Sequence, residues 1–563
     1  MGQRLIIDEC LLNLCSIMGL SGLPRNNEIE FMKSIDMWRG MRPLLMVLLS
    51  AVLLSLGWLG VSGCFMLGAL VPLLVLSDGY SDSRGDWWRM CGWAAMTFLL
   101  WNFATIWWVW NAAPIGVIVA SIVGSFYNLC GIMAYHYASK RASRALAYTL
   151  LVSIWIATEW AYNSAEVMTF PWLLLGHGFS SDVMVVQWYE YTGIFGGSLW
   201  VLASNVAIFE AIRTRKLSRV VTAILVVVVP IIVSLTIYWS YEPSSRSVKM
   251  SVVQPNIPCY DDERLEAGMM KPTDEVVKLM ASVPEDTEYV ICPESMLAYL
   301  PAVGTIDESA TELYAPMLKQ LHGGDKDSKR VIVGASTMRN YGDVEATETA
   351  RQSNYGYYYD LFNSALLINS EGEVEQIYHK QKLVIGVEAI PLSGLLESLE
   401  VDLGGVSGQL GWGDRHIVFD NGGAKVGPAI CYEGLYGNHF AGFAREGAEV
   451  MALISNDGWW GNTPGHRRLF DFCRLRAIET RRAIARSANT GISGFISPRG
   501  EVIGERLEWD ERGVLSQEME LRTDVTYYMM YGDFIARVSC FVAFLAIMYF
   551  VAYRIKRRNY LVE

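Results

Sequence analysis

The chain has 563 residues, 52% hydrophobic and only 18% charged, with a formal net charge of −12. That length suggests two or three domains, the composition is too apolar for a soluble enzyme, and the negative charge argues against a nucleic-acid partner. The ten cysteines are scattered, without a CxxC pair or a Cys/His cluster at zinc spacing, so neither a metal, a cofactor nor a disulfide framework is indicated.

Residues 1–42 carry two apolar patches but include Asp8 and Glu9, with Arg4 alone ahead of the first patch, and read as an N-terminal extension rather than a signal peptide. From Arg42 onward the apolar runs reach the roughly 20 residues a bilayer crossing needs. Seven spans are predicted near 43–59, 61–78, 91–110, 114–136, 146–163, 191–212 and 219–240, a bundle over 43–240. An eighth is predicted over 533–555, ahead of a short tail at 556–563. The first pair, separated only by Gly60, reads equally as a tight hairpin. Thr169–Phe179 is apolar but short, a re-entrant or interfacial piece tolerated only where protein covers its broken backbone.

Basic residues set the orientation. Arg84 and Arg89, then Lys140, Arg141 and Arg144, then Arg213, Arg215, Lys216 and Arg219 all fall in even-numbered loops, and Arg554, Lys556, Arg557 and Arg558 follow the last span. The positive-inside rule then puts both termini in the cytoplasm and residues 241–532 outside. Trp87, Trp88, Trp107, Trp108, Trp110 and Trp239 near span ends fit an aromatic belt, with core packing the alternative for each.

After Ser247 the pattern changes. Short β-rich runs at Val248–Val253, Tyr289–Cys292, Val331–Gly334, Ser364–Ile368, Ala424–Cys431 and Val450–Ser455 alternate with helix-like stretches at Thr273–Ser282, Ala310–Leu321 and Arg468–Ala488. Such alternation predicts a layered α/β domain.

Three groups in it can carry chemistry together. Glu294 follows Pro293, which marks a strand end; a lone Glu there is more often simply solvated. Lys380 opens a basic cluster leading into an apolar loop that ends at Glu388, although both Lys380 and Lys382 read equally as surface charges. Cys431 ends an apolar strand, interrupted by Gly427 and Pro428, and precedes Tyr432, Glu433 and a Gly-rich turn. A buried core cysteine is the plainer reading of that stretch alone. Together, a carboxylate can take the thiol proton, an ammonium can lower the thiol pKa and stabilise an oxyanion, and the sulfur can carry an acyl group.

The order Pro-Glu, Tyr-x-Lys-x-x-Leu-Val and Ile-Cys-Tyr-Glu resembles the nitrilase (carbon–nitrogen hydrolase) superfamily. Ser455-Asn-Asp-Gly-Trp-Trp-Gly461, the run from Arg474 to Gly491, Val253–Pro258 and Phe362-Asn-Ser364 extend the likeness. With seven spans before the domain and one after it, the chain is similar from about 43 to 558 to the membrane-bound branch, the apolipoprotein N-acyltransferase family. The resemblance implies an αββα sandwich over 241–532, with Glu294 as general base, Lys380 as oxyanion stabiliser and Cys431 as nucleophile. It implies Glu388, Tyr432, Glu433, Asn363 and Trp459 as supporting or substrate-binding residues. The chain departs from the family where Trp-Pro-Glu is Cys-Pro-Glu and where a tryptophan is missing from Cys259–Leu265.

The activity implied is acyl transfer from a phospholipid, through a cysteine thioester, to the α-amine of a diacylated apolipoprotein. The enzyme would work as a monomer in a bacterial cytoplasmic membrane, its catalytic domain on the outer side. Loops 295–305 and Ser393–Leu399 are expected either to gate lipid access or to be ordinary surface loops. Two rival readings are a membrane-tethered amidase using the same residues, and a transporter or lipid-binding scaffold with an inert domain. Ionisable residues in the spans are few, chiefly Glu159 and Glu210, with Asp533 and Arg537 leading into the last.

Overall fold

Each of the eight apolar runs folds as helix. The structure, a computed structural model, describes residues 41–165, 169–259, 272–299, 304–322, 329–389 and 409–559. Five helices are long and apolar enough to cross a membrane: Pro114–Ser139, Arg144–Ser164, Tyr189–Thr214, Leu217–Trp239 and Phe534–Lys556. Met41–Ser55 and Gly63–Gly79 are shorter, and Arg84–Ile106 has the length but less apolar character. Starts follow local chemistry: Ser83 Oγ accepts from Asp86 N–H, Ser143 Oγ from Leu146 N–H, and Pro114 opens its helix where a missing donor costs nothing. Leu217–Trp239 is the most apolar, yet only 11% of its apolar window is buried by protein. A helix apolar all round that packs so little against its own chain has the character of a membrane span.

The Thr169–Phe179 piece is covered as its broken backbone requires. It forms two 3₁₀ turns, Pro171–Leu173 and Leu175–Phe179, with Trp172, Leu175, His177 and Phe179 buried. Side chains of the flanking helices satisfy it: Leu175 N–H donates to Glu159 Oε1 (2.9 Å), Gly176 N–H to Ser198 Oγ (3.1 Å), and Tyr189 O–H to Gly176 O (2.8 Å). Glu159, within the candidate span Arg144–Ser164, is thus an acceptor for loop backbone.

The second half is two facing sheets. In the first, β1 (Ser247–Gln254), β2 (Tyr289–Ile291), β4 (Arg330–Gly342), β6 (Tyr358–Ile368), β5 (Arg351–Gln352) and β13 (Gly513–Glu520) lie in the order β13-β1-β2-β4-β6-β5, with β3 (Thr305–Asp307) on β4 and β7 (Val374–His379) on β6. The second orders β12 (Val502–Leu507), β11 (Ser493–Ile496), β10 (Ile484–Ala488), β9 (Val450–Ser455) and β8 (Val426–Ile430). Alternation sorts the side chains. Met250, Val252, Ile291, Ile332 and Leu367 join the core with the second sheet, whereas Val253, Val290, Val331, Val333 and Leu366 pack against the helices Pro272–Ala281 and Ala315–His322. Gly437–Arg445 and Pro464–Thr480 cover the other sheet, giving an αββα sandwich.

Two expectations need correction. The helix read through Arg468–Ala488 ends at Thr480, where Arg481 turns left-handed (φ +49), and Ile484–Ala488 is a strand running parallel to β9 and antiparallel to β11. Its Ala and Arg content suits a helix, but burial between two strands decides the outcome. Nor is the strand before Cys431 interrupted: Val426–Ile430 is continuous, because β8 is an edge where Pro428 is tolerated, and a Cβ at Gly427 would strike Met451.

The sandwich sits directly on the bundle. Trp460 packs on Trp108 and Trp172 (centroids 4.8 and 5.9 Å), and Phe472 on Trp172 (5.0 Å). Trp108 is therefore core, while Trp88, Trp107, Trp110 and Trp239 stay exposed as a belt requires. Polar contacts close the seam: Asn111 Nδ2 donates to Trp460 O (2.9 Å) and Arg481 to Glu190 Oε2 (2.6 Å). The buried Arg476–Glu479 pair joins them, with Glu479 Oε1 accepting from Ile194 N–H (3.1 Å) beside the Gly193 kink. Residues 1–40, part of the 295–305 loop and Ser393–Leu399 lie outside the described residues.

Candidate active site

Strand ends bring the expected groups together. Glu294 leaves β2 through Pro293, Lys380 directly follows β7, and Cys431 directly follows β8. Lys380 Nζ lies 3.0 Å from Glu294 Oε1 and 2.9 Å from Glu388 Oε1, all three side chains buried. Asn363, on β6, donates its amide to the same two oxygens (2.8 and 2.7 Å). The remaining carboxylate oxygens accept backbone donors, Glu294 Oε2 from Asn456 N–H (2.9 Å) and Glu388 Oε2 from Val384 N–H (2.8 Å). Two carboxylates around one ammonium leave a negative charge over, which these three donors spread.

Cys431 is buried in the left-handed region (φ +48), as is Ser295 beside Glu294 (φ +56). Such conformations are costly for residues with a side chain and persist only where the surroundings impose them. Burial first, then the Glu294 charge, push the Cys431 thiol well above its ordinary value; Lys380 and the Ser455 side chain pull the other way and lose. Lys380 thus lowers this thiol as the sequence reading expected, but burial and the Glu294 carboxylate outweigh it, and the net direction favours the thiol over the thiolate. Burial also works against the Lys380 charge, but Glu294 and Glu388 overcome it and hold the ammonium above its ordinary range.

Glu433 braces the site. Fully buried, its Oε2 accepts from Ile430 N–H (2.8 Å), at the end of the cysteine strand. Its Oε1 accepts from Gln381 N–H (2.8 Å) and Lys382 N–H (3.3 Å), just past Lys380, and from Tyr378 O–H (2.7 Å). His439 Nε2 lies 3.2 Å away and His416 Nε2 reaches His439 Nδ1 at 3.1 Å. Burial alone would raise this carboxyl; His439, with the Gln381 and Ile430 amides, holds it down at about 2. A depressed carboxyl contributes stability above its unfolded pKa and loses it as pH falls through the folded value. Glu433→Gln should therefore cost about 3 kcal/mol at pH 7. Its deficit in thermal midpoint against the unaltered protein should hold down to about pH 5 and shrink towards pH 2. A deficit independent of pH would rule out the charge as its source.

The other expected residues lie further off. Tyr432 turns towards the bundle, its hydroxyl 3.3 Å from Thr169 O and its ring against Tyr436. Trp459, in the turn Gly458–Trp460, is not brought into the carboxylate–ammonium cluster. It lines a separate cavity of about 490 Å³ with Asn111, Asn256, Cys259, Asn462 and Arg512. That cavity is one residue removed from Glu294: Cys259 Sγ donates to Asn456 Oδ1 (3.2 Å), and the Asn456 amide holds Glu294. Sequence reasoning missed Asn456 and the buried Asp457–Arg486 pair (2.9 Å), although both fall in runs that carried the resemblance. For His439 there was no signal.

Comparison with known proteins places both halves. The carbon–nitrogen hydrolase family model matches residues 249–524, and that of the apolipoprotein N-acyltransferase N-terminal domain matches 47–207. An apolipoprotein N-acyltransferase of Chlorobaculum tepidum is 27% identical over 497 residues, covering 84% of this chain and 89% of the relative. One from Geobacter metallireducens is 26% identical over 523 residues, covering 88% and 92%. A solved amidase of Nesterenkonia sp. AN1 superposes with a TM-score of 0.33 at 17% identity, over 52% of this chain and 98% of its own, too loose a fit to add to the sequence matches.

Proposed function

The chain belongs to the apolipoprotein N-acyltransferase family, and on that premise we propose that it transfers a fatty acyl chain from a phospholipid, through a Cys431 thioester, to the α-amine of a diacylated apolipoprotein. The observation that carries the reading is the buried Lys380 ammonium held between Glu294 and Glu388, with the Cys431 thiol near enough to feel the charges of Glu294 and Lys380.

Glu294 takes the Cys431 proton as the sulfur attacks the ester carbonyl. Lys380 faces the oxyanion that forms, its charge kept by the two carboxylates. Collapse breaks the ester C–O bond, the leaving alkoxide recovers the proton from Glu294, and a lysophospholipid departs. The acceptor amine then attacks the thioester, Glu294 receives its proton, and expulsion of the sulfur returns that proton to Cys431. Glu388 and Asn363 fix the ammonium, and Glu433 ties the lysine loop to the cysteine strand. Two successive substrates on one sulfur make the kinetics ping-pong. The cavity at Trp459 lies next to the base and on the bundle side, where an acceptor anchored in the bilayer would arrive.

The topology that suits this chemistry has eight spans, with Met41–Ser55, Gly63–Gly79 and Arg84–Ile106 completing the five longer helices. The sandwich then faces the outer side of a bacterial cytoplasmic membrane, as a monomer. Both substrates stay in lipid there, avoiding about 0.8 kcal/mol for each CH₂ drawn into water. Mass spectrometry after incubation with phospholipid alone should find an acyl adduct on Cys431 that a diacylated peptide discharges. Turnover of small amides with no adduct from phospholipid would instead favour an amidase.

A further inference from the structure

A second cavity runs along the bundle. A groove of about 780 Å³ runs between the helices Arg144–Ser164, Tyr189–Thr214, Leu217–Trp239 and Phe534–Asn559. Small side chains, among them Ala203 and Ala207, make room for it, and Leu199, Val206, Val538 and Val542 render its walls apolar. Arg144, Arg213 and Arg219 stand together at one end. That end is remote from the candidate site: Ile194 meets Glu479 of the sandwich, and Arg213 is 19 residues further along the same helix, roughly 28 Å at 1.5 Å per residue.

The charges at this end do not cancel. Glu210 is taken up by Arg213, which donates from Nε and Nη2 (2.8 and 2.9 Å), and by the Tyr148 hydroxyl. Asp78 is taken up by Arg144 (2.5 Å). Arg219 forms no ion pair among the described residues, and Arg215 and Lys216 in the adjoining turn add to the positive excess. A slot lined by lipid-facing helices is filled by hydrocarbon. A cationic end on such a slot is matched by an acyl chain bearing an anionic headgroup, each basic residue near the surface favouring it by about fivefold.

We propose that this groove is a binding site for an anionic phospholipid, one acyl chain lying between the helices and the phosphate held at Arg219, in the leaflet opposite the one that would serve Cys431. The site rests on the membrane-spanning reading of the helices but not on the acyl-transfer chemistry, so its test reads lipid retention and not turnover.

The full-length protein in neutral detergent, examined by native mass spectrometry against phosphatidylglycerol and phosphatidylcholine of identical chains, should retain one phosphatidylglycerol at least fivefold more strongly. Arg219→Glu, at an exposed position in the first turn of its helix, should remove that preference while leaving phosphatidylcholine retention as it was. Ala207→Trp should displace both lipids. Equal retention of the two lipids by the unaltered protein, or a preference that survives Arg219→Glu, overturns the proposal. Should Ala207→Trp fail to fold, the Arg219→Glu comparison decides alone.

Discussion

Cys431→Ala should lower acyl transfer by at least about 10³-fold and abolish the acyl adduct, while moving the thermal midpoint by only a few degrees. The two effects separate because the sulfur is a small part of a core already closed around it: Ala429, Ile430, Tyr432 and Glu433 on either side are buried. Alanine must still adopt the left-handed turn at φ +48, so the variant keeps that strain but loses the sulfur proposed to carry the acyl group. Transfer from phospholipid to a diacylated peptide, read as a mass shift of the peptide, checks the first effect, and an unfolding scan the second. Transfer surviving in this variant would remove the thioester from the mechanism altogether.

Lys380→Ala should do the reverse and damage the fold along with the activity. Both carboxylates lie within 3.0 Å of one ammonium, and both accept from the same Asn363 amide. Without the cation they face each other unbalanced in a buried site, at a cost of about 3–5 kcal/mol. The ammonium is held above its ordinary range, so in the unaltered protein its contribution is fully present below about pH 10 and does not vary through the neutral range. In the variant one carboxylate must take up a proton to relieve the repulsion. Its unfolding midpoint should therefore lie closer to that of the unaltered protein at pH 5 than at pH 8. A gap that stayed constant would show that Lys380 is not what balances the two acids.

The sequence was most legible where backbone punctuation and chemistry coincide. Pro293 ends a strand just before Glu294, and β8 ends just before Cys431, so each functional group is announced by the element that delivers it. What a residue reaches across the fold was not legible. Glu433 could be placed beside Cys431 from the chain alone, but its five protein partners come from Ile430, Tyr378, Gln381, Lys382 and His439, and only the meeting of β7 with the end of β8 brings them together. Ile484–Ala488 misled for a related reason: its residues tolerate a helix, and the sheet that claims them is built from distant segments. Trp108 and Trp110 have the same character in sequence, yet one is core and the other exposed, a difference set by where Trp460 docks.

The seam where Trp460 and Phe472 press on Trp108 and Trp172 limits how this molecule can be taken apart. An excised 241–532 fragment would show water the apolar underside that now rests on the bundle, together with Arg476 and Glu479 stripped of the Ile194 amide. Thr526 and Tyr528, which lead into the last helix, also hold that patch, Thr526 through the Glu479 carbonyl and Tyr528 against Gly193. Sandwich and bundle are better regarded as a single cooperative body, and a soluble fragment would need its underside redesigned before it stayed in solution.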